Sequence, residues 1–333
     1  MCRQRPLLPR SLTRRRGRCA TCRERAVIRD GVLVRDAALD GHPASCCCAL
    51  APRTFVDMRL HALSLLAAST VMSTNLPSNA VTQGRPRTLV VLLAHADDEA
   101  AAGPVLARYA REGVEVHLII ASDGSAGSGS SGGYLVRADS TPKGDSLARQ
   151  RGAEARCAAT ALGAREPIIL GFPDGKFGDY TGDRSLLYRL TERIGKEIER
   201  LRPDVVITWG PDGGTGHPDH RIVSNIATQL QRAGAPGMPE RLFHMYLPVE
   251  SFRLLNPQRG EPPLLIPQAK YFTVHVPFTP ADLEAAKKSM ACHGSQYTAE
   301  TLQRLLPPME RVLNGKIAFI PAFSATSSDD LFR

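Results

Sequence analysis

Apolar runs of strand length alternate with amphipathic segments of helix length from residue 87 to the end of the chain. The runs at 87–94, 114–121 and 204–210 are continuously apolar, which is typical of strands buried on both faces. The remaining pattern predicts helices at 104–113, 146–162, 185–201, 218–233, 283–293 and 299–313, and strands at 166–172, 241–248, 271–278 and 316–323. Successive strand–helix units predict an α/β fold, a Rossmann-like and mostly parallel sheet flanked by helices.

The net charge of +9 is concentrated in the first 57 residues, which hold 12 arginines, no lysine and 5 acidic residues. The rest of the chain carries only +2, whereas a nucleic-acid-binding protein needs its basic surface on the folded domain. The charge therefore predicts no nucleic-acid partner. We expect residues 1–57 to be a non-native or disordered leader.

The segment 58–80, MRLHALSLLAASTVMSTNLPSNA, has one arginine, then a short apolar run, then small residues. This layout is typical of a secretory signal peptide, and the run is shorter than the roughly 20 apolar residues of a membrane span. We predict a secreted or periplasmic protein with no stable membrane span after signal cleavage and one domain at 81–333. The alternative is a disordered basic tail followed by a weakly hydrophobic linker.

Cysteines and isolated histidines of the predicted domain carry little functional signal. Only Cys157 and Cys292 fall within it, so we expect no disulfide framework there. His117, His244 and His275 alternate with apolar residues in predicted strands, so we expect them to pack in the core.

Two polar loops follow predicted parallel strands, AHADDE at 94–99 and GPDGGTGHPDH at 210–220. Ligands of such sheets bind outside the carboxyl ends of the strands, and three crowded carboxylates are unfavourable unless a cation lies among them. A catalytic zinc takes three N or O ligands and keeps one position open for water. We therefore predict His95, Asp98 and His220 as zinc ligands, with another divalent metal such as Fe²⁺ as the alternative.

The neighbouring residues complete a hydrolytic site. Asp97 is not needed as a ligand and is predicted to act as general base towards water. His217, held protonated by Asp219, is expected to stabilise the oxyanion or to protonate the leaving amine. Glu99 is expected to begin a helix or to hold a metal ligand. Either loop alone is also explained by helix capping, but their joint occurrence after parallel strands favours a metal site.

The long loop at 123–145 contains two short pattern matches. GSGSSG resembles a dinucleotide-binding pattern and GSSGG a serine-nucleophile pattern. Because neither match joins a strand directly to a helix, we interpret both as chance. The loop is expected to form a mobile wall of the substrate site.

With both polar loops, the chain resembles the PIG-L (LmbE-like) family of zinc-dependent N-acetylglucosaminyl deacetylases. The resemblance extends from about Arg87 to Gln296 and includes RGAEARCAATALG, GFPDG and CHGSQ. It implies the same metal ligands, general base and oxyanion histidine as above. It also implies that Arg151 and Asp174 contact substrate hydroxyls; pairing of Arg151 with a surface acid and a turn role for Asp174 are the alternatives.

Three positions qualify the resemblance. Ala96 replaces a proline of the family motif, which we expect to have little effect. Thr215 stands where some members have a tyrosine that helps at the oxyanion, and His293 in CHGSQ has no assigned role. The resemblance implies a zinc-dependent hydrolase that removes the acetyl group of an N-acetylated sugar. The alternatives are an amidase of a non-sugar or thiol-conjugate amide and a catalytically silent carbohydrate-binding module.

Overall fold

The computed structural model describes residues 27–29, 32–34, 85–127, 143–179, 182–214, 216–248, 267–323 and 327–333. The chain divides into two units, Met1–Asn75 and Leu76–Arg333. In the first unit, β1 (Val27–Arg29) and β2 (Val32–Val34) form an antiparallel hairpin. The leader at 1–57 stays a prediction. The predicted signal peptide at 58–80 lies outside the described residues.

The second unit alternates strands and helices as predicted. Its strands are β3 (Thr88–Leu93), β4 (Glu115–Ser122), β5 (Ile168–Phe172), β6 (Val205–Trp209), β7 (Leu242–Met245), β8 (Val274–Pro277) and β9 (Lys316–Pro321). Its α-helices are α1 (Gly103–Arg111), α2 (Asp145–Leu162), α3 (Ser185–Leu201), α4 (Pro218–Arg232), α5 (Pro280–Cys292) and α6 (Ala299–Leu313). Within the described part of the chain, no helix has the length and apolar composition needed to cross a membrane.

Seven strands form one mixed sheet in the order β5-β4-β3-β6-β7-β9-β8. The first five in this order are parallel, and β9 runs antiparallel to both of its neighbours. From β3 the chain adds β4 and β5 on one side and then returns to add β6 and β7 on the other. The strand order therefore reverses between β3 and β6, where open α/β sheets bind their ligands. The predicted α/β fold class is confirmed.

Both faces of the sheet are covered, which explains the continuous apolar runs. In β3, Leu89, Val91 and Leu93 face a core shared with α1, α2 and α5. Val90 and Leu92 face the opposite core, shared with α3 and α4. Full burial of each such side chain contributes roughly 1.5–3 kcal/mol. The central strands are thereby fixed, and so are the loops that leave their carboxyl ends.

A disulfide joins two helices on one face of the sheet. Cys157 in α2 and Cys292 at the end of α5 are bonded, with their Cα atoms 5.7 Å apart. We expected no disulfide framework because the domain has only two cysteines. The packing of α2 against α5 nevertheless brings the two sulfur atoms together.

The three strand histidines behave differently. His244 in β7 is buried, as expected, and His117 in β4 is half-buried. The expectation is wrong for His275, which is exposed. Its strand β8 is the last of the sheet, and there only Val274 and Val276 face the core.

Candidate metal centre

Both predicted polar loops meet at one edge of the sheet. The loop after β3 carries His95, Asp97 and Asp98, and the loop after β6 leads into α4. Strands β3 and β6 are paired in parallel, so their carboxyl ends are adjacent at the reversal of the strand order. His217 is the N-cap of α4, and His220 lies in its first turn. Thr215, in the same loop, lies outside the described residues.

Three side chains bring their donor atoms together. His95 Nδ1 lies 3.1 Å from His220 Nε2, and His220 Nε2 lies 3.0 Å from Asp98 Oδ1. The distance from His95 Nδ1 to Asp98 Oδ2 is 3.9 Å. All three residues are buried. Ligands at about 2.0–2.2 Å from one tetrahedral zinc are separated by roughly 3–3.5 Å, which fits the two shorter distances. The 3.9 Å distance is longer and involves the other oxygen of Asp98. Among the described residues, the groups of three whose donor atoms all lie within 4.8 Å of one another are His95, His217 and His220, and His95, Asp174 and Asp219.

A polar partner lies behind each imidazole ring, on the side away from the centre. His220 Nδ1 lies 2.9 Å from Gly213 O; a carbonyl only accepts, so Nδ1 must donate. His95 Nε2 lies 3.0 Å from an oxygen of Asp174 and 3.4 Å from one of Asp219. The two facing nitrogens, His95 Nδ1 and His220 Nε2, lie 3.1 Å apart, close enough for one ion to contact both. Burial lowers the pKa of His95, but the carboxylates of Asp174 and Asp219 outweigh it and raise this pKa to about 10. The site therefore favours positive charge.

Asp98 is anchored so that one oxygen remains for the centre. Its Oδ2 accepts from the backbone N–H groups of Ala94 (3.0 Å) and His95 (2.9 Å). Its Oδ1 is the atom that faces His220. Burial opposes ionisation, but the neighbouring His220 holds the pKa of Asp98 well below its usual range. The carboxylate is therefore charged, as a metal ligand must be.

Asp97 stands beside the three donors without joining them. Its backbone has φ 101°, in the left-handed region that is rare for a residue other than glycine. Its side chain is 21% exposed, and its Oδ1 accepts from Arg151 Nη2 at 3.2 Å. Burial raises the pKa of Asp97 to about 6, against the opposing charge of Arg151. A carboxylate with a pKa near neutrality and access to solvent suits a general base.

The predicted pairing of His217 with Asp219 needs correction. His217 Nδ1 accepts from the backbone N–H of Asp219 at 3.2 Å, so this nitrogen carries no proton. Burial and the nearby His95 and His220 lower the pKa of His217 to about 4. The carboxylate of Asp219 instead accepts from backbone N–H groups of the loop after β5, those of Gly175 (2.8 Å) and Phe177 (3.0 Å). His217 is thus neutral and keeps its proton on Nε2, where it can donate.

The two predicted substrate residues lie behind the centre. Arg151 in α2 is 3% exposed and donates to the backbone carbonyl of Ala96 as well as to Asp97. Asp174 is 6% exposed, lies against His95 and accepts from the N–H of Ala126 at 3.1 Å. Both side chains support site residues, and their contact with substrate stays a prediction.

Two features of the site were missed in the sequence. The Trp209 ring stacks on the His220 ring, with centroids 4.9 Å apart and planes within 3°. Gly214 lies so close to Trp209 that a Cβ would not fit. Glu99 is buried against His293, whose Nε2 is 2.5 Å from Glu99 Oε1. The signals were a tryptophan at the end of a central strand and a histidine directly after a helix.

The fold and the donor set define a class of protein. Histidine and carboxylate donors that lie close together, a further carboxylate beside them and a neutral histidine next to both rings are the parts of a metal-dependent hydrolase site. The PIG-L family model, described as GlcNAc-PI de-N-acetylase, matches residues 90–231. That range contains both polar loops.

Named proteins with similar sequences are deacetylases. A 1D-myo-inositol 2-acetamido-2-deoxy-alpha-D-glucopyranoside deacetylase of Rhodococcus jostii is 31% identical over 247 residues, covering 64% of this chain and 82% of the relative. A deacetylase of the same description from Catenulispora acidiphila is 33% identical over 180 residues, covering 49% and 57%. The chain belongs to the PIG-L family of metal-dependent deacetylases.

Solved structures support the fold. The pseudoaglycone deacetylase Dbv21 superposes with a TM-score of 0.52 at 19% identity, covering 72% of this chain and 97% of that chain. A deacetylase of the teicoplanin biosynthesis pathway gives a TM-score of 0.50 at 17% identity, with 70% and 95% covered. At these identities the likeness concerns the architecture alone.

Proposed function

We propose that this protein removes the acetyl group from an N-acetylated sugar with the help of a divalent metal ion, zinc in the first instance. The observation that carries the proposal is that His95 Nδ1 and Asp98 Oδ1 lie 3.1 Å and 3.0 Å from His220 Nε2, beside Asp97. The substrate named in the descriptions of these two sequence relatives is a glycoside of an acetamido sugar. An acetamide on a sugar is therefore the substrate class that fits best.

The three donors would hold the ion, and the fit rests on their chemistry. Two imidazoles and one carboxylate suit zinc, and ferrous iron or manganese accept the same atoms. The partners of His95 and His220 orient the rings and strengthen their donor nitrogens. When bound, the ion supplies an acidified water and polarises the acetamide carbonyl.

The chain's own residues move the protons. Asp97 accepts the proton of the attacking water, since its pKa of about 6 leaves it ionised at neutral pH. His217 donates a hydrogen bond from Nε2 to the carbonyl oxygen as negative charge develops there. Because His217 is neutral, it is a hydrogen-bond donor rather than a strong acid. The proton taken by Asp97 is the one available for the departing amine, and acetate is the second product.

We further propose that the protein works in an exported compartment, secreted or periplasmic. The predicted signal peptide at 58–80 supports this, and so does the Cys157–Cys292 disulfide, because such bonds persist mainly in oxidising environments. Amino-terminal sequencing of the native protein tests the proposal. A mature chain beginning at Met1 would refute it.

The catalytic proposal is tested by amine release. Chelated protein is reloaded with Zn²⁺, Fe²⁺ or Mn²⁺ and offered N-acetylglucosamine, its glycoside with myo-inositol, and an N-acetylated amine without a sugar. We expect metal-dependent release from at least one sugar substrate. Metal-loaded protein that hydrolyses the non-sugar amide and neither sugar would favour the amidase alternative.

A pair of histidine variants provides the matched control. His220→Ala removes a donor from the centre and should abolish both metal retention and amine release. His275→Ala removes an exposed histidine of β8 and should change neither. Full metal retention by the His220→Ala variant would place the ion elsewhere.

A further inference from the structure

We infer that the buried pair formed by Glu99 and His293 positions the general base Asp97, an inference that rests on the proposed deacetylation. His293 comes 194 residues after Glu99 in the chain and lies outside the residues matched by the family model. Among the described residues, the side chains of the pair form no hydrogen bond with the three donors; Glu99 instead accepts from the Asp97 N–H. Its effect must therefore pass through the conformation of Asp97.

Asp97 occupies a backbone conformation that needs outside support. With φ 101° and ψ −19° it lies in the left-handed region. Such a conformation costs on the order of 1–3 kcal/mol for a residue other than glycine and persists only where its surroundings fix it. The Asp97 N–H donates to Glu99 Oε2 at 3.0 Å. This bond ties the turn to the carboxylate two residues later.

The Glu99 carboxylate is in turn dependent on His293. Glu99 is 1% exposed, and an ionised carboxylate in such a place is costly unless it is paired. His293, 0% exposed, places Nε2 2.5 Å from Oε1. The two oxygens are thus divided, one accepting from the histidine and the other from the Asp97 N–H. Loss of the histidine would leave the charge unpaired and release the turn.

His293 itself is fixed to the helix that holds the other side of Asp97. It follows Cys292 directly, and the disulfide bonds Cys292 to α2. The same helix carries Arg151, which donates to the Asp97 carboxylate. Asp97 is therefore held through its backbone by Glu99 and through its side chain by Arg151. Arg151 lies in α2, and His293, the partner of Glu99, is linked to α2 by the neighbouring disulfide. This arrangement fixes the carboxylate relative to the three donors.

Replacement of His293 tests the inference. In His293→Leu we expect kcat to fall about tenfold or more. This is the loss expected if Asp97 relaxes from its strained backbone conformation and its carboxylate leaves the position of a general base. We expect KM within about twofold of wild type and unchanged metal content, since Asp97 is not a ligand. His293→Gln keeps an N–H that can reach Glu99 and should recover part of the rate. His244→Leu removes another buried histidine, in β7, and should leave kcat near wild type.

Glu99→Gln keeps the inference testable if His293→Leu fails to fold. Glutamine has the shape of glutamate but no charge and one acceptor oxygen, so its two ends cannot accept from both the His293 Nε2–H and the Asp97 N–H. We expect the same loss of kcat with metal and KM preserved. A crystal structure of this variant is the readout independent of activity, and Asp97 should leave positive φ.

The outcomes separate this inference from the proposed function. Wild-type protein that releases no amine from any N-acetylated sugar refutes the function; the structure of Glu99→Gln then still decides whether the pair holds the turn. Wild-type kcat in both variants, or a loss explained by missing metal or raised KM, overturns the positioning role.

Discussion

Removal of the Cys157–Cys292 disulfide should destabilise the domain by an amount that can be worked out from its place in the chain. The bond closes a loop with a sequence separation of 135. The chain-entropy relation gives about 17 cal/mol/K for such a loop, or about 5 kcal/mol at 25 °C. Measured effects are commonly 2–4 kcal/mol, so we expect a loss of about 2–5 kcal/mol. This is a large part of the roughly 5–15 kcal/mol typical of a domain.

The site of the bond makes the measurement clean. Cys157 is exposed and Cys292 is partly exposed, so serine at both positions leaves no cavity and buries no new polar group. Urea unfolding of the wild type and of the Cys157→Ser/Cys292→Ser variant, followed by fluorescence, gives the free energy of unfolding of each. Reduction of the wild type should lower its urea midpoint to that of the double variant. The double variant itself should not respond to the reductant.

Two results would refute this reasoning. One is a double variant that unfolds at the wild-type midpoint with the wild-type slope, which would mean that the bond does not restrict the unfolded chain. The other is a reductant that lowers the midpoint of both proteins equally, since the effect would then not come from the cross-link. Cys157→Ser alone should match the double variant, because it breaks the same bond.

Three further predictions concern single side chains. Asp97→Asn should keep its metal and lose about 10²–10⁴ in kcat; full amine release by the folded variant would contradict the role of general base. Asp174→Asn weakens the partner of the metal ligand behind it, so metal affinity should fall about tenfold in a chelator competition, whereas a raised KM at unchanged affinity would favour substrate contact. Against the opposing effect of burial, hydrogen bonds from Arg111 and the helix cap lower the pKa of Asp282. Its stabilisation is therefore present above the unfolded pKa of about 3.9 and lost as pH falls through the lower folded value. Asp282→Asn should cost about 1 kcal/mol at pH 7, and this cost should shrink steadily as pH falls below about 3.9. Exposed Glu284→Gln is the neutral control, and a cost that does not change on acidification would contradict the prediction.

The fold could be predicted because burial on both faces leaves a strong mark in the sequence. The strand predicted at 204–210 is observed at Val205–Trp209, and the helix predicted at 218–233 is observed at Pro218–Arg232. The convergence of His95, Asp98 and His220 followed from topology, since parallel strands deliver their carboxyl ends to one edge. No detail of side-chain packing was needed for either prediction. Where packing decides, as for exposed His275 on the last strand, the periodic pattern was insufficient.

The polar partners inside the site could not be predicted in the same way. Asp219 was paired with His217 because the two are neighbours in sequence, yet its carboxylate bonds to the loop after β5. Tertiary packing brings that loop to the site, and the sequence around His217 and Asp219 does not indicate this contact. The left-handed turn at Asp97 is similarly hidden, because its sequence is that of an ordinary helix start.

Site residues that follow strand ends and site residues that lie in the helical layer differ in how the sheet constrains them. The hydrogen-bonded register of the sheet places the residues that follow the strand ends. Their positions can therefore be predicted, and the type of side chain then indicates a metal ligand or a catalytic group. His293 is placed by the end of α5 and by a disulfide across the helical layer, so its position depends on how α5 packs against α2. Reduction of that disulfide should therefore lower stability and also loosen the hold of Glu99 on Asp97. A double-serine variant with weakened stability and wild-type kcat would show that helix packing alone keeps His293 in place.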